Sequence, residues 1–244
     1  MELALCTAAT AVLSMAALAT SADAQAKSPL GVSAEIGVVS DYRFRGVSYS
    51  NGKPALQGGF TVEHASGFYL GTWASSIAET AGGARAEVDW LAGYATTMGS
   101  KLNLDASVAY YSYPSDGSPN FAEGIATVSY VMGRLTPKLG VSYAPKQKNL
   151  RDEFGAKRDN VHSFAGADLE LAGTPLTLSA QLGYERGPFD LVDGGGKWDW
   201  RIGGTANVRG IDLGLTYVDS NARFEHKGEN LAGSALVASA LLSW

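Results

Sequence analysis

With 244 residues, 30 glycines, 11 tyrosines and a formal net charge of −5, the chain can form one large domain, and it lacks the basic surplus that nucleic-acid binding requires. Its single cysteine, Cys6, excludes a disulfide framework and a cysteine-based metal centre. Beyond the N-terminal segment no apolar run approaches the roughly 20 residues of a spanning helix.

Leu3 to Ala19 is an apolar, alanine- and leucine-rich run, followed by Ala22-Asp23-Ala24 and Ala24-Gln25-Ala26. Small residues on either side of a variable one mark export cleavage, so residues 1–26 are expected to be a signal peptide cut after Ala24 or Ala26. Residues 27–244 then form the mature domain. An exported chain without cysteines must be held by a closed hydrogen-bonded sheet or a large core.

The stretch from Val38 to Gly59 reads as two strands and a turn-rich loop. Ile36, Val38, Tyr42 and Phe44 share one phase, and Glu35, Asp41, Arg43 and Arg45 share the other. Alternation of this kind puts apolar groups on one face and charges on the opposite one. About twelve such strands follow the signal, each near the ten residues that a tilted membrane-spanning strand needs. They run over Ala34–Arg45, Ala55–His64, Phe68–Ser75, Ala86–Ala95, Leu102–Tyr111 and Ala122–Met132, then Leu135–Ala144, His162–Leu171, Leu176–Glu185, Trp198–Val208, Ile211–Asp219 and Leu236–Trp244. Connections after even-numbered strands are short, as at Gly133-Arg134 and Arg209-Gly210, whereas those after odd-numbered strands are long and polar, as over Pro145–Val161 and Ser220–Ala235. An even strand count with alternating turns and loops predicts an all-β, antiparallel up-and-down barrel in a Gram-negative outer membrane.

The aromatic residues point the same way. In the lipid phase Tyr42 with Phe44, Tyr110, Tyr143, Tyr184 and Tyr217 fall near the outer ends of odd strands, and Trp198 and Trp200 extend this girdle. An amphipathic ring is favoured there because its body meets acyl chain and its hydroxyl meets water. Trp244 ends an alternating strand at the opposite rim, a pattern that suits recognition by the machinery that inserts barrels.

In this register the lumen receives Glu35, Asp41, Glu63, Glu87, Asp89, Asp105, Glu123, Asp168, Glu170, Asp199 and Asp212, against Arg43, Arg45, Lys138 and Arg201. Acids outnumber bases, so a water-filled interior is expected to prefer cations. Arg43 and Arg45 are expected near the outer mouth, ion-paired with Glu87 and Asp89 or free to bind an anion. Eight strands close around a filled interior and sixteen leave an open channel, so about twelve admits either.

Catalysis is not expected. A hydrolytic site needs a histidine held beside a nucleophile, and His64, His162 and His226 fall in unrelated places with no nucleophile motif. Each reads as an ordinary surface or interfacial residue. No cofactor or metal is implied. A further class is a non-conducting surface barrel whose long loops bind a partner. Lys146, Lys148, Arg151, Lys157 and Arg158, with Asp152 and Asp159, make the fourth loop its best candidate, although mixed charge also suits solvation or lipopolysaccharide.

Asp41-Tyr42-Arg43-Phe44-Arg45-Gly46, then Ser48, Ser50, Gly52, Pro54-Ala55 and Gln57-Gly58, continued by Gly67-Phe68-Tyr69, Gly71-Thr72-Trp73 and Ser75, resemble the TorF family of porin-like proteins, also known as the Gcw_chp conserved hypothetical proteins. Tyr49 and Ser76 depart from that pattern, where Gln and Asn would be expected. The resemblance implies an outer-membrane barrel and a channel; the partners expected of such a barrel are outer-membrane lipid and lipopolysaccharide outside and small solutes or ions within.

Overall fold

A computed structural model describes residues 29–116, 119–152, 154–192 and 195–244. The expected signal peptide lies outside the described residues. In chain order the strands are β1 (Leu30–Val39), β2 (Arg43–Phe44), β3 (Val47–Ser48), β4 (Ala55–His64), β5 (Phe68–Ser76), β6 (Ala86–Met98), β7 (Leu102–Ser112) and β8 (Phe121–Tyr130). They continue as β9 (Leu135–Ala144), β10 (Asn160–Glu170), β11 (Leu176–Arg186), β12 (Lys197–Val208), β13 (Ile211–Ser220), β14 (Glu225–His226), β15 (Glu229–Asn230) and β16 (Ala235–Ser243).

From β4 to β13 each strand pairs antiparallel with the next along the chain. β16 joins β13 to β1, and β1 joins β4, so that the twelve long strands close into a barrel. The seam between β1 and β16 runs from Glu35↔Ser243 to Val39↔Ser239 and is extended by reciprocal backbone bonds of 3.0 Å between Ala34 and Trp244. Closure gives every wall strand a partner on both sides, which removes the open edge that would leave backbone groups unsatisfied in lipid.

The period-2 pattern sorts the side chains. Val32, Leu70 and Leu236 face outward, each more than 60% exposed, while Glu87, Glu123, Glu185 and Lys197 face inward and are almost wholly buried. A protein surrounded by water does not expose an apolar belt of this size, whereas a barrel wall in lipid does. Tight turns occupy one end. The turn between β12 and β13 is Arg209-Gly210, both at positive φ (56° and 87°), the geometry of a two-residue type I′ hairpin.

The expected strand over Ala34–Arg45 is corrected. β1 ends at Val39, and residues 40–54 fold into the barrel as a separate β2–β3 hairpin. The turn residues Arg45 and Gly46 have φ of 46° and 87°, again suiting a type I′ turn. At Gly46 a Cβ would lie 2.7 Å from the Ser220 Cβ, so the hairpin passes too close to the wall for any larger residue. Tyr42 and Phe44 are consequently buried inside, at 3% and 2% exposure, and are not part of an outer aromatic girdle. Apolar residues in a continuing period-2 pattern are equally at home on a lipid-facing strand and in the core of an inward fold.

Candidate functional site

Asp41 organises the base of the hairpin. Its carboxylate accepts Nε of Arg43 at 2.6 Å and the hydroxyls of Ser48 and Ser50, while the Ser50 hydroxyl accepts the Tyr42 N–H at 2.9 Å. Arg43 also donates to the carbonyls of Gly46 and Gly233, and the Ser48 N–H donates to the Leu231 carbonyl at 2.8 Å. These bonds tie the hairpin to the last long loop. Several residues of the family-like motif are therefore scaffold for the inward fold.

Arg45, at the hairpin tip, reaches across to β8 and β11. Its guanidinium donates to Glu123 at 2.9 and 3.0 Å, to Glu185 at 2.6 Å and to the Ser142 hydroxyl at 2.7 Å, and it lies 4.3 Å from the Phe44 ring centre. Glu185 also pairs with Lys197 at 2.6 Å and accepts from Asn160, and Glu123 accepts the Tyr111 hydroxyl at 2.7 Å. Two carboxylates and two cations thus balance in a buried, hydrogen-bonded network, the arrangement in which buried charge is tolerated. Burial opposes the charge on Arg45, a loop residue outside the spanning strands, but Glu123 and Glu185 outweigh burial and raise its pKa.

The expected pairing of Arg43 and Arg45 with Glu87 and Asp89 does not form. β1 stops early, so Arg43 stays with Asp41 and Arg45 is carried past β6 to β8 and β11. Glu87 accepts the Tyr42 hydroxyl at 3.1 Å, and neither Glu87 nor Asp89 has an ion pair among the described residues. Tyr42 packs on Trp73 with ring centres 5.4 Å apart, and Tyr111 stacks on Phe121 at 4.4 Å. This aromatic mass fills the β5–β8 side of the interior.

Space remains on the opposite side. A cavity of about 240 Å³ lies between the hairpin and the wall, lined by Arg43, Arg45, Gln57, His162, Gln181, Asp199, Arg201, Thr216 and Ser239 among others. Arg201 donates to the side-chain amide oxygen Oε1 of Gln181 at 2.9 Å. His162 Nε2 and Asp199 Oδ2 are 2.9 Å apart.

The other inward acids are spread along the wall. Asp105 accepts the Tyr69 hydroxyl at 3.0 Å, and Asp168 is held by Lys138 at 2.9 Å and by Ser179 at 2.7 Å. Glu35 sits half-buried at the β1–β16 seam. Glu170 is exposed at the short-turn end, where Asp212 accepts from Asn207 at 2.8 Å. Tyr110, Tyr143, Tyr217 and Trp198 are exposed in the outward phase. Tyr184 is half-buried against Trp198 at 4.8 Å, and Trp200 is half-buried in the same phase as Trp198. Trp244 is exposed beside Ala34.

Glu185 and Lys197 were not singled out from the sequence, and His162, expected at the surface or an interface, lies in the interior. His162 is 4% exposed inside the barrel and not a surface residue. It shares phase with Asp168 along β10, so register alone could have placed it inward. Lys197 falls one residue before the expected start of its strand.

An apolar exterior, a charged interior and a hairpin folded into the lumen describe a closed twelve-stranded β-barrel with the fold of porins. The chain belongs to the Gcw_chp family, described as bacterial proteins of unknown function, whose model matches residues 23–242. Among solved structures it is similar to KdgM porin, at 10% identity over 87% of this chain and 99% of that one with a TM-score of 0.58. It is also similar to NanC porin, at 9% identity over 86% and 98% with a TM-score of 0.59. At such identities the likeness shows the fold. No curated protein matches the sequence.

Proposed function

We propose that this chain is an outer-membrane channel of a Gram-negative bacterium, through which small solutes or ions diffuse passively, in line with its resemblance to TorF-type porins. The observation that carries this reading is the cavity left beside the inward hairpin, within a barrel whose outer face is apolar. In this reading residues 1–26 are the export signal and Trp244 serves recognition by the insertion machinery. The exposed tyrosines and tryptophans mark the lipid interfaces, and the long loops meet lipopolysaccharide.

The lumen prefers cations in this proposal, but the residues responsible are not those buried behind the hairpin. Asp89 and Glu123 are 4% and 1% exposed, whereas Glu35, Glu63 and Asp105 are more accessible and have no ion pair among the described residues. Acids lining a narrow passage with low-dielectric walls concentrate cations. Reversal potential across a planar bilayer under a salt gradient tests this directly. A cation-signed value supports the proposal, and an anion-signed value refutes the preference. A folded barrel without conductance would favour the rival reading, a surface protein that works through its loops.

A further inference from the structure

Charge bookkeeping around the cavity singles out one group. Arg43 is neutralised by Asp41 at 2.6 Å. Arg45 and Lys197 are matched by Glu123 and Glu185. Lys138, further along the wall, holds Asp168. Arg201 also faces the cavity, yet it forms no ion pair among the described residues, and Gln181, its cross-strand neighbour, gives it only a neutral acceptor. Asp199, in the same lining, and Asp168 have their carboxylates bonded elsewhere, to His162 at 2.9 Å and to Lys138 with Ser179, and neither has a hydrogen bond or ion pair to the Arg201 fork among the described residues.

A guanidinium presents five N–H donors in a planar fork that matches a carboxylate. Taking such a group partly out of water without a carboxylate bonded to its fork is costly, so an arriving carboxylate would gain more here than at an exposed arginine. Besides Arg201 and the paired charges, among them Asp41 and Asp199, the cavity lining holds neutral hydrogen-bonding groups, Gln57, Thr216 and Ser239, and apolar ones, Val218 and Val237. Such a lining accommodates a small organic body carrying hydroxyls.

We infer that Arg201 is the anchor of a solute-binding site in the barrel interior for a small, hydroxylated monocarboxylate. The charged end is held by the Arg201 fork, and the body lies along Gln57, Thr216 and Ser239. The physiological use of the site rests on the channel reading above, but binding does not require conduction. The acid-rich wall slows free anions, so the site makes a carboxylate a bound passenger where small cations simply pass. Conduction requires binding strong enough to admit a solute and weak enough to release it, which places the expected affinity in the millimolar range.

The test is isothermal titration of the refolded full barrel in detergent with gluconate and with sorbitol, an open-chain pair that differs by a carboxylate in place of a hydroxymethyl group and does not partition into micelles. Gluconate is expected to bind at least about tenfold more tightly than sorbitol. Arg201→Gln is expected to abolish that difference without lowering the unfolding midpoint, and Arg201→Lys to restore part of it as a point charge. Equal binding of the two solutes to the wild-type barrel would overturn the inference, as would gluconate binding that Arg201→Gln leaves unchanged. Should the two variants fail to fold, competition of bound gluconate by acetate in the wild-type barrel decides, because an anchor for the carboxylate must release gluconate to acetate. A barrel that conducts but binds no gluconate refutes the site and leaves the channel. One that binds gluconate but never conducts refutes the channel and leaves the site.

Discussion

His162 and Asp199 sit on strands that are not neighbours, β10 and β12, yet their side chains meet at 2.9 Å across β11. They can do so because the inward position between them is Gly183. A Cβ there would lie 2.5 Å from His162 Nε2 and 2.6 Å from Asp199 Oδ2. The same device recurs on the other side, where Tyr69 on β5 reaches Asp105 on β7 over Gly93, whose added Cβ would fall 2.4 Å from the Tyr69 ring. Glycine in these strands lets side chains lie flat along the wall.

Gly183→Ala should therefore separate His162 from Asp199 and leave a buried carboxylate short of a donor. The expected loss is about 1–3 kcal/mol, read as a lower urea midpoint of the refolded barrel. Gly31, whose added Cβ would meet nothing within 4 Å, is the matched control, and Gly31→Ala should leave the midpoint unchanged.

Arg45 fastens the hairpin to the far wall. In Arg45→Met, Glu185 retains Lys197 and Glu123 retains the Tyr111 hydroxyl, but Glu123 loses its charge partner. Breaking a buried pair from one side costs about 3–5 kcal/mol. Chemical denaturation should register that loss, and adding Glu123→Gln should recover much of it, since the uncompensated charge is then gone. A double variant no more stable than Arg45→Met alone would show that the network is not held together by this pair.

Selectivity should respond to position rather than to charge alone. Glu35→Lys and Asp105→Lys place cations on the accessible wall and are expected to move the reversal potential toward anions. Asp89→Asn removes a carboxylate buried beside the aromatic mass and should leave the reversal potential where it was. An effect of Asp89→Asn as large as that of Asp105→Lys would mean that the path runs along the β5–β8 side.

Most of the wall was legible from alternation and turn chemistry. β4 and β9 span Ala55–His64 and Leu135–Ala144 as expected, and the Arg209-Gly210 connection is a two-residue turn. The inward hairpin was not read, because Tyr42 and Phe44 keep the phase of Ile36 and Val38 after the strand has ended. One signal for it was present. Phe44-Arg45-Gly46-Val47 places a glycine where a two-residue hairpin turn needs positive φ, and Asn51-Gly52 repeats that cue with φ of 54° and 66°. The partners of Arg45 were beyond reach for a different reason. Glu123 and Glu185 lie 78 and 140 residues away along the chain, and a long side chain crossing a lumen leaves no periodic trace in either strand.

In the proposed channel the hairpin over residues 40–54 narrows a conducting barrel without sealing it. Single-channel recording of the refolded barrel, beside a variant in which residues 41–53 are replaced by a short Gly-Ser linker, tests it most directly. Discrete, small conductance steps are expected for the natural chain and markedly larger steps for the variant. A natural barrel that is folded and inserted yet never conducts, or a variant whose steps are no larger, would contradict it.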